Sequence, residues 1–239
     1  MLNLRPNYPD DFLLDGWLAS DHGIHFQKEI AFSEPTPNVE NIHVHGRNGD
    51  IPIYDGSFQN VTGTARCYCL DEDVSFVVNA INQLLFTDFG YRRLETFMEA
   101  DYYRMAKLKH GVNLEPRLNH MNPFTLEFDC KPQKYLKDGQ WEKVFTSSGK
   151  LFNPTPFAAL PLITLHGSGS GSLTIGTYSI STTNCNELVL DCEEQEAYIG
   201  TTNANGTITG TFPKLEGESS ISFRGGVTSV TIIPRWWSL

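Results

Sequence analysis

Short runs of β-forming residues recur toward the C-terminal end at intervals of roughly ten residues, and no helical period is superimposed on them. They read "SLTIG" (172–176), "YSIS" (178–181), "ELVLD" (187–191), "AYIG" (197–200), "TITGTF" (207–212), "SISF" (220–223) and "VTSVTII" (227–233). Glycine and asparagine punctuate them, and these residues accept the backbone angles of tight turns. Strands this short can bury an apolar face only by stacking two antiparallel layers, so the pattern predicts a β-sandwich.

Composition changes ahead of this region. Residues 1–149 carry 14 Lys and Arg against 21 Asp and Glu, whereas residues 150–239 carry 4 against 7 and are rich in Ser, Thr and Gly. The intervening "SSGKLFNPTPFAALP" (147–161) is rich in proline and small residues and reads as a linker. The expected organisation is therefore a domain over 1–146, a linker over 147–161 and a second domain over 162–239. At 239 residues and 40% hydrophobic content, the chain is long and apolar enough for two cores. A net charge of −10 argues against a phosphate-binding surface. The N-terminus shows no signal-peptide pattern, and no stretch approaches the ~18 apolar residues of a membrane span.

The first half mixes strands with one helix. "FQKEIAF" (26–32) alternates, with Lys28 breaking the apolar side, and "FQNVTGTARCYCL" (58–70) reads as one long strand. "DEDVSFVVNAINQLLF" (71–86) places Val74, Val77, Val78, Ile81, Leu84 and Leu85 on one helical stripe. Asp71 or Asp73 is the expected cap, and Gly90 follows the end. "YYRMAKLKH" (102–110) and "NPFTLEFDCKPQKYL" (122–136) return to strand, the latter alternating Phe124, Leu126 and Phe128 against Thr125, Glu127 and Asp129.

Chemistry is sparse. In "NIHVHGRNGDIPIYDG" (41–56), His43 and His45 would share one face of a strand, the spacing of a metal-ligating pair. A cupin-type site wants a glutamate shortly downstream, and none follows; His22 and His25 show no independent ligand spacing. The favoured reading is a hairpin whose chain reverses through Asn48-Gly49 before Ile51 begins the return strand. Five cysteines, Cys67, Cys69, Cys130, Cys185 and Cys192, are expected as reduced thiols, with Cys67 and Cys69 in the core. No nucleophile elbow, phosphate loop or dinucleotide fingerprint is present, and "GSGSGS" (167–172) reads as a low-complexity turn. Neither an enzyme nor a metal or other cofactor is expected.

The order of these motifs resembles the phage distal tail protein family. The resemblance runs from the "HVHGRNGDIPIYDG" hairpin through "INQLLF" (81–86), "GYRRLE" (90–95), "DYYRMAKL" (101–108) and "FDCKP" (128–132). It continues through "FNPTPFAALPLITLHG" (152–167) and "GTFPKLEGESSISF" (210–223) to "IIPRWW" (232–237). Asn48 stands where the family more commonly has Asp. The resemblance implies a mainly β chain: an N-terminal β-sandwich with one α-helix and a β-hairpin, followed by a C-terminal galectin-like β-sandwich. It further implies a homo-hexameric ring at the tail tip of a long non-contractile-tailed phage, assembled in the host cytoplasm. The ring would join the major tail tube protein to a tail-tip protein, or also to a receptor-binding protein. DNA would cross its bore without specific binding, and no membrane is involved. His43, His45, Arg47, Asn48, Gly49 and Ile51 are the candidate ring-interface hairpin; Trp236 and Trp237 are candidate interface or core aromatics. The alternative is a carbohydrate-binding module, for which no tryptophan is available in residues 150–230.

Overall fold

The structure, a computed structural model, describes residues 11–70, 73–87, 89–112, 114 and 121–239. It is mainly β and divides into two compact units, one running up to Lys134 and the other spanning Tyr135–Ser238.

The first unit is built on β1 (Phe12–Leu14), β2 (Trp17–Leu18), β3 (His25–Phe32), β4 (Pro37–Ile42), β5 (Ile51–Phe58), β6 (Val61–Cys69), α1 (Val74–Thr87), β7 (Arg92–Thr96), β8 (Tyr102–Leu108) and β9 (Asn122–Leu136). One sheet runs in the hydrogen-bonded order β2-β1-β7-β8-β9-β6-β3. Strands β6 and β9 pair without interruption from Val61 opposite Cys130 to Cys69 opposite Asn122. Alternation therefore holds along both, and Ala65, Cys67, Cys69, Leu126, Phe128 and Cys130 all point into the core. The sheet curls until its distant strands meet: Phe12 of β1 packs edge-on against Phe26 of β3 at 5.5 Å and against Phe128 at 5.2 Å. Helix α1 buries Val74, Val77, Ile81 and Leu84 in the same core, and Val78 and Leu85 of the expected stripe pack half-buried against it.

Several local expectations shift. The 58–70 run is two elements, because β5 ends at Phe58 and β6 begins at Val61. Strand β3 slips register between Phe26 and Lys28 and again between Lys28 and Ala31, so bulges turn Lys28 outward and restore the apolar face afterwards. Helix α1 begins one residue after Asp73; Asp71 lies outside the described residues.

The second unit comprises β10 (Lys143–Phe145), β11 (Gly149–Phe152), β12 (Leu162–Ile175), β13 (Tyr178–Thr182), β14 (Leu188–Asp191), β15 (Glu196–Ile199), β16 (Thr202–Asn203), β17 (Ile208–Gly210), β18 (Glu218–Ile233) and β19 (Trp237–Ser238). Strands β12 and β18 form its axis. The first part of β12 pairs with β14 and with Ser229–Ile233, and its last part pairs with β13 and with residues 221–225. Register breaks at Gly167 and Gly171 separate the two parts. Each long strand thus serves two half-sheets, β10-β18-β12-β14-β15-β16 on one side and β11-β18-β12-β13-β17 on the other. This is the bent-strand corner by which one strand passes between layers. The core between them holds Ile163, Leu165, Leu173, Ile175, Leu188, Val230 and Ile232.

The stretch 147–161 is not a linker. It contains β11, which pairs with β18 from Gly149 opposite Ile221 to Phe152 opposite Glu218, and Ala159, which exchanges backbone hydrogen bonds with Leu215. The unit boundary lies earlier, inside β9. A β-rich segment short on charge reads locally as a connection when its pairing partner lies far along the chain.

Candidate assembly surface

Strands β4 and β5 stand apart as a two-stranded ribbon of their own. Val39 faces Tyr54, Glu40 faces Ile53, Asn41 faces Pro52 and Ile42 faces Ile51. Residues directly opposite share a face. One face therefore carries Val39, Pro52 and Tyr54 with Asn41, and the other carries Ile42, Ile51 and Ile53 with Glu40. Both faces are predominantly apolar, yet these five aliphatic and aromatic side chains (Val39, Ile42, Ile51, Ile53 and Tyr54) remain between 36% and 50% exposed. An isolated two-stranded ribbon is marginal in water, and two predominantly apolar faces with two open edges make it a surface for association. At the base, Tyr54 packs edge-on against Phe58 at 6.0 Å, and Asp55 accepts hydrogen bonds from the backbone N–H and hydroxyl of Ser57 at 2.8 and 2.7 Å. Those bonds hold the Asp55 carboxyl below its ordinary range. A register shift between Pro37 and Val39 twists the ribbon where it leaves the body.

The tip differs from the Asn-Gly reversal read from the sequence. Strand β4 ends at Ile42 and β5 resumes at Ile51, leaving residues 43–50 as the connection. The reversal is at Val44–Arg47, where the Arg47 N–H donates to the Val44 carbonyl at 3.1 Å and Gly46 takes a positive φ of 83°. That places glycine where a type II turn requires it. Gly49 also has positive φ but Asn48 does not, so the two cannot form the type I′ pair. His43, His45, Arg47, Asn48 and Gly49 are all exposed. His43 Nδ1 lies 3.1 Å from Asp50 Oδ1 across the loop, which is how this imidazole is engaged. His22 instead stacks on Trp17 at 4.4 Å and His25 on Tyr68 at 5.1 Å. Among the described residues, no three His, Cys, Asp or Glu side chains converge as metal ligands. No helix of the described residues is long and apolar enough to cross a membrane.

The C-terminal aromatics divide. Trp236 is a core residue at 2% exposure, its carbonyl accepting from the Leu136 N–H at 2.9 Å. Trp237 stacks on Phe157 at 4.5 Å and donates its indole N–H to the Ala158 carbonyl at 2.9 Å. All five cysteines are buried, reduced thiols. Burial pushes Cys67 up strongly and Cys130 and Cys192 up to about 12, so none of these three is a reactive thiolate at neutral pH.

Sequence reasoning passed over one polar line in the second unit. His166 Nδ1 lies 2.9 Å from Glu187 Oε1, and its Nε2 lies 2.9 Å from the Thr231 hydroxyl. His166 sits opposite Ser229 and Thr164 opposite Thr231, so the imidazole reaches Thr231 diagonally between neighbouring strands. The Glu187 side chain is 64% exposed, and water weakens its pull on the imidazole. It was invisible in the sequence because the three residues are brought together only by the pairing of β12 with both β14 and β18.

No family model matches the chain, and no curated protein matches it either. Among solved structures, the chain is similar to the SPP1 Dit (gp 19.1) protein, described as a paradigm of hub adsorption apparatus in Gram-positive infecting phages. The TM-score is 0.68 over 96% of this chain and 99% of that one, at 11% sequence identity. The likeness is one of fold and extends through both units.

Proposed function

We propose that this chain is a structural distal tail protein, the hub of a long non-contractile-tailed phage. It forms a hexameric ring between the major tail tube protein and a tail-tip protein, and DNA passes through the bore without specific binding. The observation that carries the reading is the exposed ribbon, predominantly apolar on both faces, on a fold shared end to end with a phage hub protein. A surface of this kind is buried in an assembly rather than left in water. A closed ring needs two different patches on every copy, and the ribbon supplies one. The role is architectural rather than catalytic, its site is the virion tail tip, and assembly occurs in the host cytoplasm. The acidic balance of the chain suits a bore along which DNA slides.

Light scattering on the purified chain over a range of concentrations tests this. A mass of roughly 160 kDa, six copies of the 26.8 kDa chain, that stops growing with concentration is the expected result. A monomer at every concentration would refute self-assembly through the ribbon.

A second reading, a carbohydrate-binding module in the second unit, draws support from Trp141. The unit begins at Tyr135 and so includes Trp141, which is 60% exposed beside the Lys143–Asp138 ion pair. An exposed indole flanked by polar groups is a stacking platform for a sugar ring. Glycan-array binding lost in Trp141→Ala would establish that reading; silence of the unmodified chain on the array would remove it.

A further inference from the structure

The ribbon supplies one patch of a head-to-tail contact, and the first unit carries a socket suited to its tip. Resting on the ring reading above, we infer that the ribbon tip of one copy docks into a socket formed by Asp11, Glu29, Ile30, Phe97, Met98 and Glu99 on the next copy. The socket is an open cavity of about 180 Å³ where β1, β3 and the turn after β7 come together. Its walls are apolar and accessible, with Phe97 39% and Met98 61% exposed.

Its charge is acidic and only partly compensated. Glu99 is matched by Arg104, which donates to both carboxylate oxygens at 3.0 Å, and by Lys134 at 3.6 Å. Asp11 accepts backbone N–H groups, from Phe12 at 2.8 Å and Ser20 at 3.3 Å, together with the Ser20 hydroxyl, and burial pushes its carboxyl above the ordinary range. Glu29 is exposed and forms no ion pair among the described residues. Among the described residues, Asp11 and Glu29 thus face no cation, and the socket presents their negative charge above an aromatic and a thioether wall.

The tip is the complement. Arg47 is exposed at its apex and likewise forms no ion pair among the described residues. Val44, 38% exposed, stands three residues before it in the same turn, and His43 and His45 flank Val44. A planar guanidinium can pair with a carboxylate while its face lies on an aromatic ring. Arg47 against Glu29, with Val44 against Phe97 and Met98, satisfies both components of the two surfaces. All residues of the tip are exposed, so a chain's own socket is not where its tip rests. A second copy brings tip and socket together at every junction of a closed ring.

Charge exchange in the full chain tests the pairing. Arg47→Glu and Glu29→Arg each place like charges together and are expected to raise the half-assembly concentration about tenfold or more. The double variant, with the charges exchanged, is expected to return within about threefold of the unmodified chain. Both positions are exposed, and a thermal melt of each variant verifies folding. Independently, an Arg47→Cys, Glu29→Cys chain treated with a short bis-maleimide is expected to give a ladder of covalent multimers. The five native thiols are buried and do not compete. Rescue or a ladder supports the docking. Assembly with neither rescue nor ladder would overturn it while leaving the ring intact, whereas an unmodified chain that stays monomeric removes both.

Discussion

At Gly226, a Cβ atom would lie 1.8 Å from the Ser168 carbonyl oxygen, and at Gly167 one would lie 2.0 Å from the Gly226 carbonyl oxygen. Those obstacles are backbone, which cannot rotate away. The glycines of "GSGSGS" and of "RGG" (224–226) are thus a two-stranded corner where β12 and β18 cross closely. In the sequence they looked like filler, because the constraint comes from a partner strand more than fifty residues away along the chain. Gly226→Ala is expected to destabilise the second unit by about 3 kcal/mol, measured by urea denaturation, since overpacking against backbone costs that much or more. A second residue-scale contribution is electrostatic. Arg235 donates to both oxygens of Asp191 at 2.8 and 3.0 Å, with less than a quarter of either side chain exposed. Burial pushes the Asp191 carboxyl up, but Arg235 and the Glu193 and Glu194 N–H groups outweigh it and hold the carboxyl below 3.8. A depressed folded-state pKa gives stability that is present above the unfolded value and lost as pH falls through the folded one. Asp191→Asn should therefore cost about 2 kcal/mol at neutral pH and less as the pH falls below 3.8, read from melts of both chains across that range.

At the scale of elements, legibility followed whether the stabilising contacts were local. The α1 stripe and the alternation of β9 were readable because each element presents one face to a core; the structure buries Val74, Val77, Ile81 and Leu84 of the one and Leu126 and Phe128 of the other, with Val78, Leu85 and Phe124 half-buried beside them. The ribbon was legible as a hairpin, and Ile51 stands where its return strand was expected to begin. Its turn was misplaced, since Gly46 and Gly49 both offer positive φ and only the register of β4 against β5 selects between them. The two-sided apolar character of the ribbon was hidden for the same reason: which residues share a face depends on that register. It also leads to a prediction that separates folding from assembly. Ile42→Thr, Ile51→Thr and Ile53→Thr together remove the apolar content of one face without touching either core. Each is expected to change the monomer's stability by no more than about 0.5 kcal/mol, as exposed positions do. The triple variant should nevertheless fail to assemble, seen as a sedimentation velocity profile that stays monomeric where the unmodified chain does not.

At the scale of the molecule, the chain carries two separate cores rather than one. The first gathers Phe12, Ile81, Leu126 and Phe128, and the second gathers Ile163, Leu165, Leu188 and Val230. The compositional break near residue 150 marks where charge thins out, whereas the division of cores depends on which strands pair. Strands β10 and β11 contribute edges to the β18 sheet, although β10 was expected in the first domain and the local composition of β11 resembles a connection, so the second unit begins earlier than its chemistry suggests. Two cores imply two cooperative units, each with its own stability. Phe128→Ala empties a large site in the first core, and Leu165→Ala does so in the second; each should cost about 3 kcal/mol or more. Differential scanning calorimetry of the two variants against the unmodified chain separates the units. Phe128→Ala is expected to lower one component of the transition and Leu165→Ala the other, each leaving its counterpart in place. Equal displacement of the whole transition by both variants would mean that the cores melt as one, and the chain would then be a single cooperative body built on two hydrophobic centres.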